Sequence, residues 1–272
     1  MPLHYSITPS ELWRLMATPN APVIVDVRHA DAIGASNRLL PASILCDPRD
    51  MRAWTLDRNS GLIVIACKHG HERSQMAAAE LRERGIDAQV LAGGFEAWCA
   101  EGLPVVDRSE CLRLLPTRPS LWVTRRRPKI DRVACPWLVR RFLDPQAKFL
   151  FVDPPQVAAV ARETGAIAFD IEGVELSHEG ERCSFDTMLR LFGLESEKSL
   201  ARLAMIVRGA DTARPDLAPE AAGLLAVSLG LSELAADDDH ALLRSGFVVY
   251  DALFAWLRYA AGERHNWPAK AA

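Results

Sequence analysis

The stretch Leu62-Ile63-Val64-Ile65-Ala66-Cys67-Lys68-His69-Gly70-His71-Glu72-Arg73-Ser74 decides how this chain folds. Its first five residues are an unbroken apolar run, the pattern of a strand buried on both faces of a parallel sheet. The run ends at a cysteine. A short polar turn with one glycine follows, and Ser74–Arg84 then reads as a helix stopped by Gly85. This order puts a thiol at the carboxyl end of a strand, the edge of an open α/β sheet where ligands bind. The free N–H groups and the dipole of a helix start favour an anion there. The same field lowers a thiol pKa, and Lys68 and Arg73 add to it. Cys67 is therefore the candidate nucleophile. Lys68, His69, Gly70, His71, Glu72 and Ser74 form its candidate anion-binding loop, with Arg73 beside it. His69 and His71 read equally well as surface histidines of the loop.

Working outward, Val23–Val27 is a second apolar, β-branched run, and Gln89–Leu91 a third. Gly93-Gly94 and a helix through Trp98 follow. Upstream, Thr8-Pro9-Ser10-Glu11 carries a helix start: an N-cap, a first-turn proline and a capping-box glutamate. Strands alternating with helices predict an α/β fold with a parallel sheet flanked by helices. Leu103–Pro119 has three prolines and no sustained period, so it reads as a linker. Beyond it, Leu121–Thr124, Phe149–Val152 and Ile167–Phe169 read as short strands, and Val133–Leu143 as a helix with Pro136 near its first turn. Phe185–Phe192, Lys198–Arg208, Pro219–Leu229 and Asp238–Ala261 read as helices. The expected organisation is a first domain over 1–107, a linker over 108–119 and a mostly helical α+β second domain over 120–272.

The composition fits two soluble domains. The chain has 272 residues, 49% hydrophobic and 25% charged, which excludes wholesale disorder, a collagen-like fibre or a coiled-coil rod. The net charge is −3, and neither half is strongly biased, so no chain-wide nucleic-acid or membrane-surface polycation is present. Ala221–Leu231 is too short to cross a bilayer, and Gly246–Ala261 contains Asp251 and Arg258, so both read as buried helices. The opening residues lack a basic-then-apolar leader pattern. We therefore expect a cytoplasmic setting in which the six cysteines are mostly free thiols.

The second half offers two looser clusters. Between Arg125 and Arg141 there are seven basic residues and one acid. Arg125, Arg127, Arg132, Arg140 and Arg141 are a candidate oxyanion site, because guanidinium forks suit tetrahedral dianions. The alternative is a solvated face of local ion pairs. His178, Cys183, Asp186 and Asp211 are candidate metal ligands, although Asp186 also suits a helix cap and His178 a surface turn. Cys135, beside Pro136, is either a low-pKa thiol or a small buried hydrophobe. Cys46, Cys99 and Cys111 have no anion-binding context. Asp237-Asp238-Asp239 reads as an acidic helix start, and Trp122, Trp137, Trp256 and Trp267 as core anchors.

Residues 5–107 resemble a rhodanese-type sulfurtransferase domain. The resemblance rests on the Glu11–Met16 helix, Ile24-Val25-Asp26-Val27-Arg28, the Cys67 loop with Arg73-Ser74, and Leu91-Ala92-Gly93-Gly94-Phe95-Glu96-Ala97-Trp98. It implies that Cys67 takes a sulfane sulfur from a small-molecule donor as a persulfide and passes it to a thiol acceptor, with no cofactor. Arg73 would order the loop, and Asp26 and Arg28 would support the pocket. Two features depart from that family. Leu40-Pro41-Ala42-Ser43-Ile44 replaces the usual His-Ile-Pro-Gly-Ala segment. Five residues separate Cys67 from Arg73 instead of four. The wider loop resembles that of rhodanese-fold phosphatases and arsenate reductases.

Leu121–Trp267 resembles the ChrB chromate-resistance family. The matching stretches are Asp131–Phe142, Ala168-Phe169-Asp170, His178, Cys183-Ser184-Phe185-Asp186 and Ile206–Asp211. This resemblance implies a role in chromate resistance or sensing, with chromate or sulfate as a ligand. The functional expectation is a sulfurtransferase linked to oxyanion stress. The alternatives are a chromate-sensing binding protein and a thiol-dependent oxyanion reductase or phosphatase.

Overall fold

In the computed structural model, which describes residues 5–53 and 61–263, the apolar run after Leu62 becomes the central strand of a five-stranded sheet. This strand, β5 (Ile63–Ala66), is buried along its whole length. It lies between β2 (Val23–Asp26) and β6 (Ala88–Leu91), with β1 (Ser6–Ile7) outside β6 and β4 (Ser43–Leu45) outside β2. Every pairing is parallel. The twofold alternation of a strand divides the core in two. Val64 and Ala66 pack with Leu12, Phe95 and Trp98 of helices α1 (Pro9–Leu15) and α4 (Gly94–Ala100). Ile63 and Ile65 pack with Ala77, Ala78 and Leu81 of α3 (Glu72–Glu83).

Local signals account for most of these boundaries. Thr8 caps α1 in the expected reciprocal box with Glu11. Helix α3 starts at Glu72, two residues before the predicted start, so Arg73 and Ser74 belong to its first turn. The structure adds a short helix, α2 (Ala30–Ser36), and an antiparallel pair, β3 (Arg38–Leu39) with β7 (Val106–Asp107). None of these is long enough to show a period. The segment read as a linker is itself folded: it carries α5 (Arg108–Leu114), whose cap, Asp107, ends β7. Cys111 and Leu115 bury their side chains in the core, which is why the segment does not behave as a tether.

The second half opens with a three-stranded parallel sheet ordered β10 (Ile167–Ala168), β8 (Leu121–Arg125), β9 (Lys148–Val152). Helix α7 (Val157–Thr164) covers the face that carries Val123. The other face, carrying Trp122, meets α6 (Asp131–Leu138) and the helices α8 (Ser184–Leu191), α9 (Lys198–Asp211), α10 (Ala221–Leu234) and α11 (Asp239–Ala255). Helix α6 runs on through a π turn at Val139–Leu143. It lies close against α11 because position 246 is glycine: a Cβ there would stand 2.5 Å from Val133 Cγ1. Asp238 caps α11, as the acidic run predicted. Trp122 and Trp137 are fully buried and Trp256 is half-buried, while Trp267 lies outside the described residues. Among the described residues no helix is long and apolar enough to cross a membrane.

One apolar cluster spans the two halves, and Trp13 of α1 joins it to the core of the first. Its ring meets Trp98 edge-on at 6.1 Å on one side, and Phe142 at 6.3 Å and Phe254 at 6.1 Å on the other. The Arg258 guanidinium stacks 4.2 Å above Trp13 and donates to the carbonyls of Trp13 and Met16. The Ala42 N–H donates to the Phe142 carbonyl. Beside this joint lies a cavity of about 740 Å³, lined in part by Met16, Ile44, Arg140, Arg141, Phe247 and Asp251.

Phe142 is fully buried among Trp13, Trp137 and Phe254. Phe142→Ala should cost about 3–5 kcal/mol of stability. Urea denaturation followed by tryptophan fluorescence measures this. A loss below about 1 kcal/mol would show that the joint does not depend on this ring.

Candidate functional site

Cys67 leaves β5 at the carboxyl edge of the sheet, nearly buried at 6% exposure. The loop that follows is held by backbone contacts. The N–H groups of Phe95 and Glu96 in α4 donate to the carbonyls of Cys67 and Lys68, at 2.9 and 3.0 Å. These carbonyls thereby face α4, and the N–H groups of His69, His71 and Ser74 face the sulfur. The approach is too close for side chains. A Cβ on Gly70 would lie 2.7 Å from the Leu91 carbonyl oxygen, and one on Gly94 would lie 2.4 Å from the Cys67 carbonyl oxygen. Both glycines also have positive φ, +71° and +63°.

The result is a donor ring around Sγ. Burial raises the Cys67 pKa, but the Ser74 hydroxyl and the N–H groups of His69, Ser74 and His71 outweigh it, and the net shift is downward. Ser74 Oγ stands 3.1 Å from Sγ. The other five thiols shift the opposite way, each mainly through burial: Cys46, Cys99 and Cys111 (to about 12), with Cys135 and Cys183 well above the usual range. All six are free. Cys135 is thus the buried hydrophobe, and the low-pKa alternative for it fails because its sulfur is wholly enclosed.

Each supporting residue has a definite place. Arg73 donates through Nε to the Val27 carbonyl and meets His29 Nε2 at 3.1 Å and Asp47 at 4.0 Å. Its guanidinium therefore ties α3 to the end of β2. Arg28 and Asp26 form a fully buried pair at 2.6 Å, and Arg28 lies 3.7 Å above the Phe95 ring. They brace the base of α4, and so act on the loop through the α4 amides. Lys68, His69, His71 and Glu72 are exposed, and the two imidazoles lie 5.8 Å apart. Glu72 and Arg73 border a cleft of about 480 Å³ with His29, Asp47 and Arg49.

The five arginines expected to form one oxyanion site do not converge. Arg125 and Arg132 both pair with Asp170, at 2.6 and 3.2 Å. Arg127 points to Glu233 at 3.9 Å. Arg141 forks onto Asp251, and Arg140 donates to the Ala147 carbonyl, both beside the cavity between the halves. Arg140 and Arg141 lie about two turns beyond Arg132, in the π turn that follows α6, too far along the axis to join it.

The predicted metal set splits as well. Cys183 turns to Asp186, which accepts its N–H and caps α8. Asp186 also faces Arg208 at 3.2 Å. His178 and Asp211 do meet, at 3.2 Å, but with two aspartates that the spacing argument missed. His178 Nε2 also stands 3.2 Å from Asp131 and 3.4 Å from Asp170. Asp131 opens α6 and Asp170 follows β10, so the group sits at the carboxyl edge of the second parallel sheet. The Ser184 N–H and hydroxyl donate to Asp131 and Asp170. Positive φ at Ile130 (46°) and Asp170 (51°) marks strain on both sides of the group. The Tyr250 hydroxyl holds the Ile130 carbonyl at 2.7 Å. The cluster borders a pocket of about 560 Å³ lined by Arg125, Asp170, Glu172 and His178. The hydrogen bond to Asp131 raises the His178 pKa to about 9. Burial and the Asp131 charge raise that of Asp211 to about 7. The signal available in sequence was polarity: Asp131 is the one acid in a basic run, and Asp170 ends an apolar strand.

Comparison with known proteins agrees with the two halves. The ChrB C-terminal domain family matches residues 122–257, and the rhodanese-like domain family matches residues 8–101. Protein ChrB of Cupriavidus metallidurans is 39% identical over 181 residues, 65% of this chain and 52% of that protein. The chain thus spans about half the length of that relative. Thiosulfate sulfurtransferase GlpE of Actinobacillus succinogenes is 35% identical over 100 residues, 36% of this chain and 87% of that enzyme. A solved rhodanese-related protein from Thermoplasma volcanium is 27% identical, with 38% of this chain and 98% of that one covered at a TM-score of 0.33.

The donor ring makes a prediction about Cys67 itself. Ser74→Ala removes one donor to the thiolate and should move the pH profile of Cys67 alkylation by iodoacetamide upward. At pH 7 the alkylation rate should fall roughly tenfold, since a one-unit rise in pKa is about 1.4 kcal/mol. Mass spectrometry of the Cys67 peptide reads the rate. Superimposable profiles would remove the hydroxyl from the account.

Proposed function

Because the chain belongs to the ChrB C-terminal domain family and carries a rhodanese-like domain ahead of it, we propose that it is a cytoplasmic sulfurtransferase. It works through a Cys67 persulfide and serves resistance to chromate or a related oxyanion. The observation that carries this reading is the donor ring: Cys67 is the one thiol of six whose pKa is lowered.

The chemistry follows from that ring. The Cys67 thiolate attacks the outer sulfur of thiosulfate. The S–S bond of thiosulfate breaks, and sulfite leaves with the bonding electrons. Cys67 then holds a persulfide anion, and the N–H groups of the loop stabilise its charge as they did the thiolate's. A low-molecular-weight thiol or cyanide attacks the terminal sulfur and restores the thiolate. Exposed Lys68 favours the approach of a dianionic donor. No cofactor enters any step.

Sulfur transfer is favoured over phosphoester hydrolysis or thiol-dependent oxyanion reduction by the position of Arg73. Those reactions call for a guanidinium clamped on the oxyanion. Here the Arg73 guanidinium is engaged by Val27, His29 and Asp47. The reading of the chain as an oxyanion sensor loses support from the dispersal of the five arginines.

In a thiosulfate:cyanide assay the wild-type protein should form thiocyanate, and Cys67→Ser should fall to background. Thiosulfate alone should add 32 Da to the Cys67 peptide. Equal background rates in both proteins, with no added sulfur, would overturn the proposal.

A further inference from the structure

We propose that the second domain holds one divalent first-row transition-metal ion between Asp131, Asp170, His178 and Asp211. This site is separate from Cys67 and takes no part in the sulfur transfer proposed above.

The argument starts from the number of donors and acceptors. Three carboxylates surround His178 Nε2 at 3.2–3.4 Å. The nitrogen carries at most one hydrogen, which cannot point at three oxygens. An oxygen from each of Asp131 and Asp170 and a nitrogen of His178 lie within 4.8 Å of one another. That is the spacing of ligands sharing one ion. The group is more than an acidic surface patch. Asp131 and Asp170 are 2% and 4% exposed, and they come from different elements. Buried carboxylates are costly without a cation; Arg125 and Arg132 serve Asp170, but among the described residues Asp131 and Asp211 have only His178 as an ion-pair partner.

Other features point to the same place. Arg125, Arg132 and Ser184 all hold Asp170, fixing how it presents its oxygens. Outer contacts of this kind orient metal ligands. Two hydroxyls on the flanking elements are buried and unpartnered. Thr124 is on the face of β8 that meets α6 and α8, since its neighbours Val123 and Arg125 face the other way. Thr187 is one turn beyond Ser184 on the same face of α8. Buried hydroxyls without partners usually mark water or an ion.

The donor set selects the ion. Three carboxylates and one imidazole suit zinc or manganese, and the imidazole disfavours calcium and magnesium. His178 is the half-exposed member, so the ion would face the 560 Å³ pocket. A coordination position open on that side would accept water or an oxygen ligand.

The test is calorimetric titration of chelator-treated full-length protein with Mn²⁺ and, separately, Zn²⁺. At least one ion should bind at one per chain. His178→Ala and Asp211→Asn should each weaken that binding at least tenfold, with circular dichroism of the metal-free variants matching wild type. His178 is exposed enough for its removal to leave the fold intact, so it decides alone if the Asp211 variant does not fold. Failure of both ions to bind, or wild-type affinity in a folded variant, would overturn the site. Neither result depends on activity at Cys67.

Discussion

The first domain depends on a backbone contact that only glycine permits. Gly70 and Gly94 let the Cys67 loop and the start of α4 touch main chain to main chain. The amides of α4 take the loop carbonyls, and the loop amides are left for the sulfur. The anion site therefore rests on peptide dipoles that cannot swing away, which is what preorganisation requires. Side-chain charge is secondary. Lys68 is exposed, and Arg73 serves as a tie between α3 and β2. The buried Asp26–Arg28 pair belongs to the same construction, because Arg28 packs on Phe95 at the base of α4.

That construction is coupled to the second half through Trp13. This ring touches Trp98, which follows Phe95 on α4, and also Phe142 and Phe254 from the other half. The two halves are thus not beads on a string. The folded join at α5 and the shared core hold their relative placement, and the cavity lined by Arg140 and Arg141 is a product of it.

The sequence made the long buried strands, the capped first helix and the Cys67 loop legible, because each rests on local pattern. The apolar run at Ile63 admits one reading once Gly70 and the α3 pattern follow it. The sequence hid what depends on distant partners. Strands of two residues such as Arg38–Leu39 exist only because Val106–Asp107 lies opposite. The linker looked irregular because its buried positions, Cys111 and Leu115, are too few to show a period. The arginine run reads as one site in sequence, which does not show the axial rise between Arg132 in α6 and Arg140 in the π turn after it. The acidic cluster was half visible. His178 and Asp211 stand out as ligand types, while Asp131 and Asp170 read as parts of family-matching stretches and not as ligands.

Both candidate sites use the same architectural position with different converging groups. Each lies at the carboxyl edge of a parallel sheet, where strand ends and helix starts converge. At Cys67 the converging groups are amides, so the field is positive and a thiolate is stabilised. At Asp170 helix starts converge again, through Asp131 on α6 and Ser184 on α8, but carboxylates have been placed against them. Arg125 and Arg132 balance Asp170 there, while Asp131 and Asp211 share the imidazole of His178. On the metal-site proposal above, an edge of the kind that holds an anion takes a cation instead. The difference arises from three aspartates and one histidine set against the helix starts.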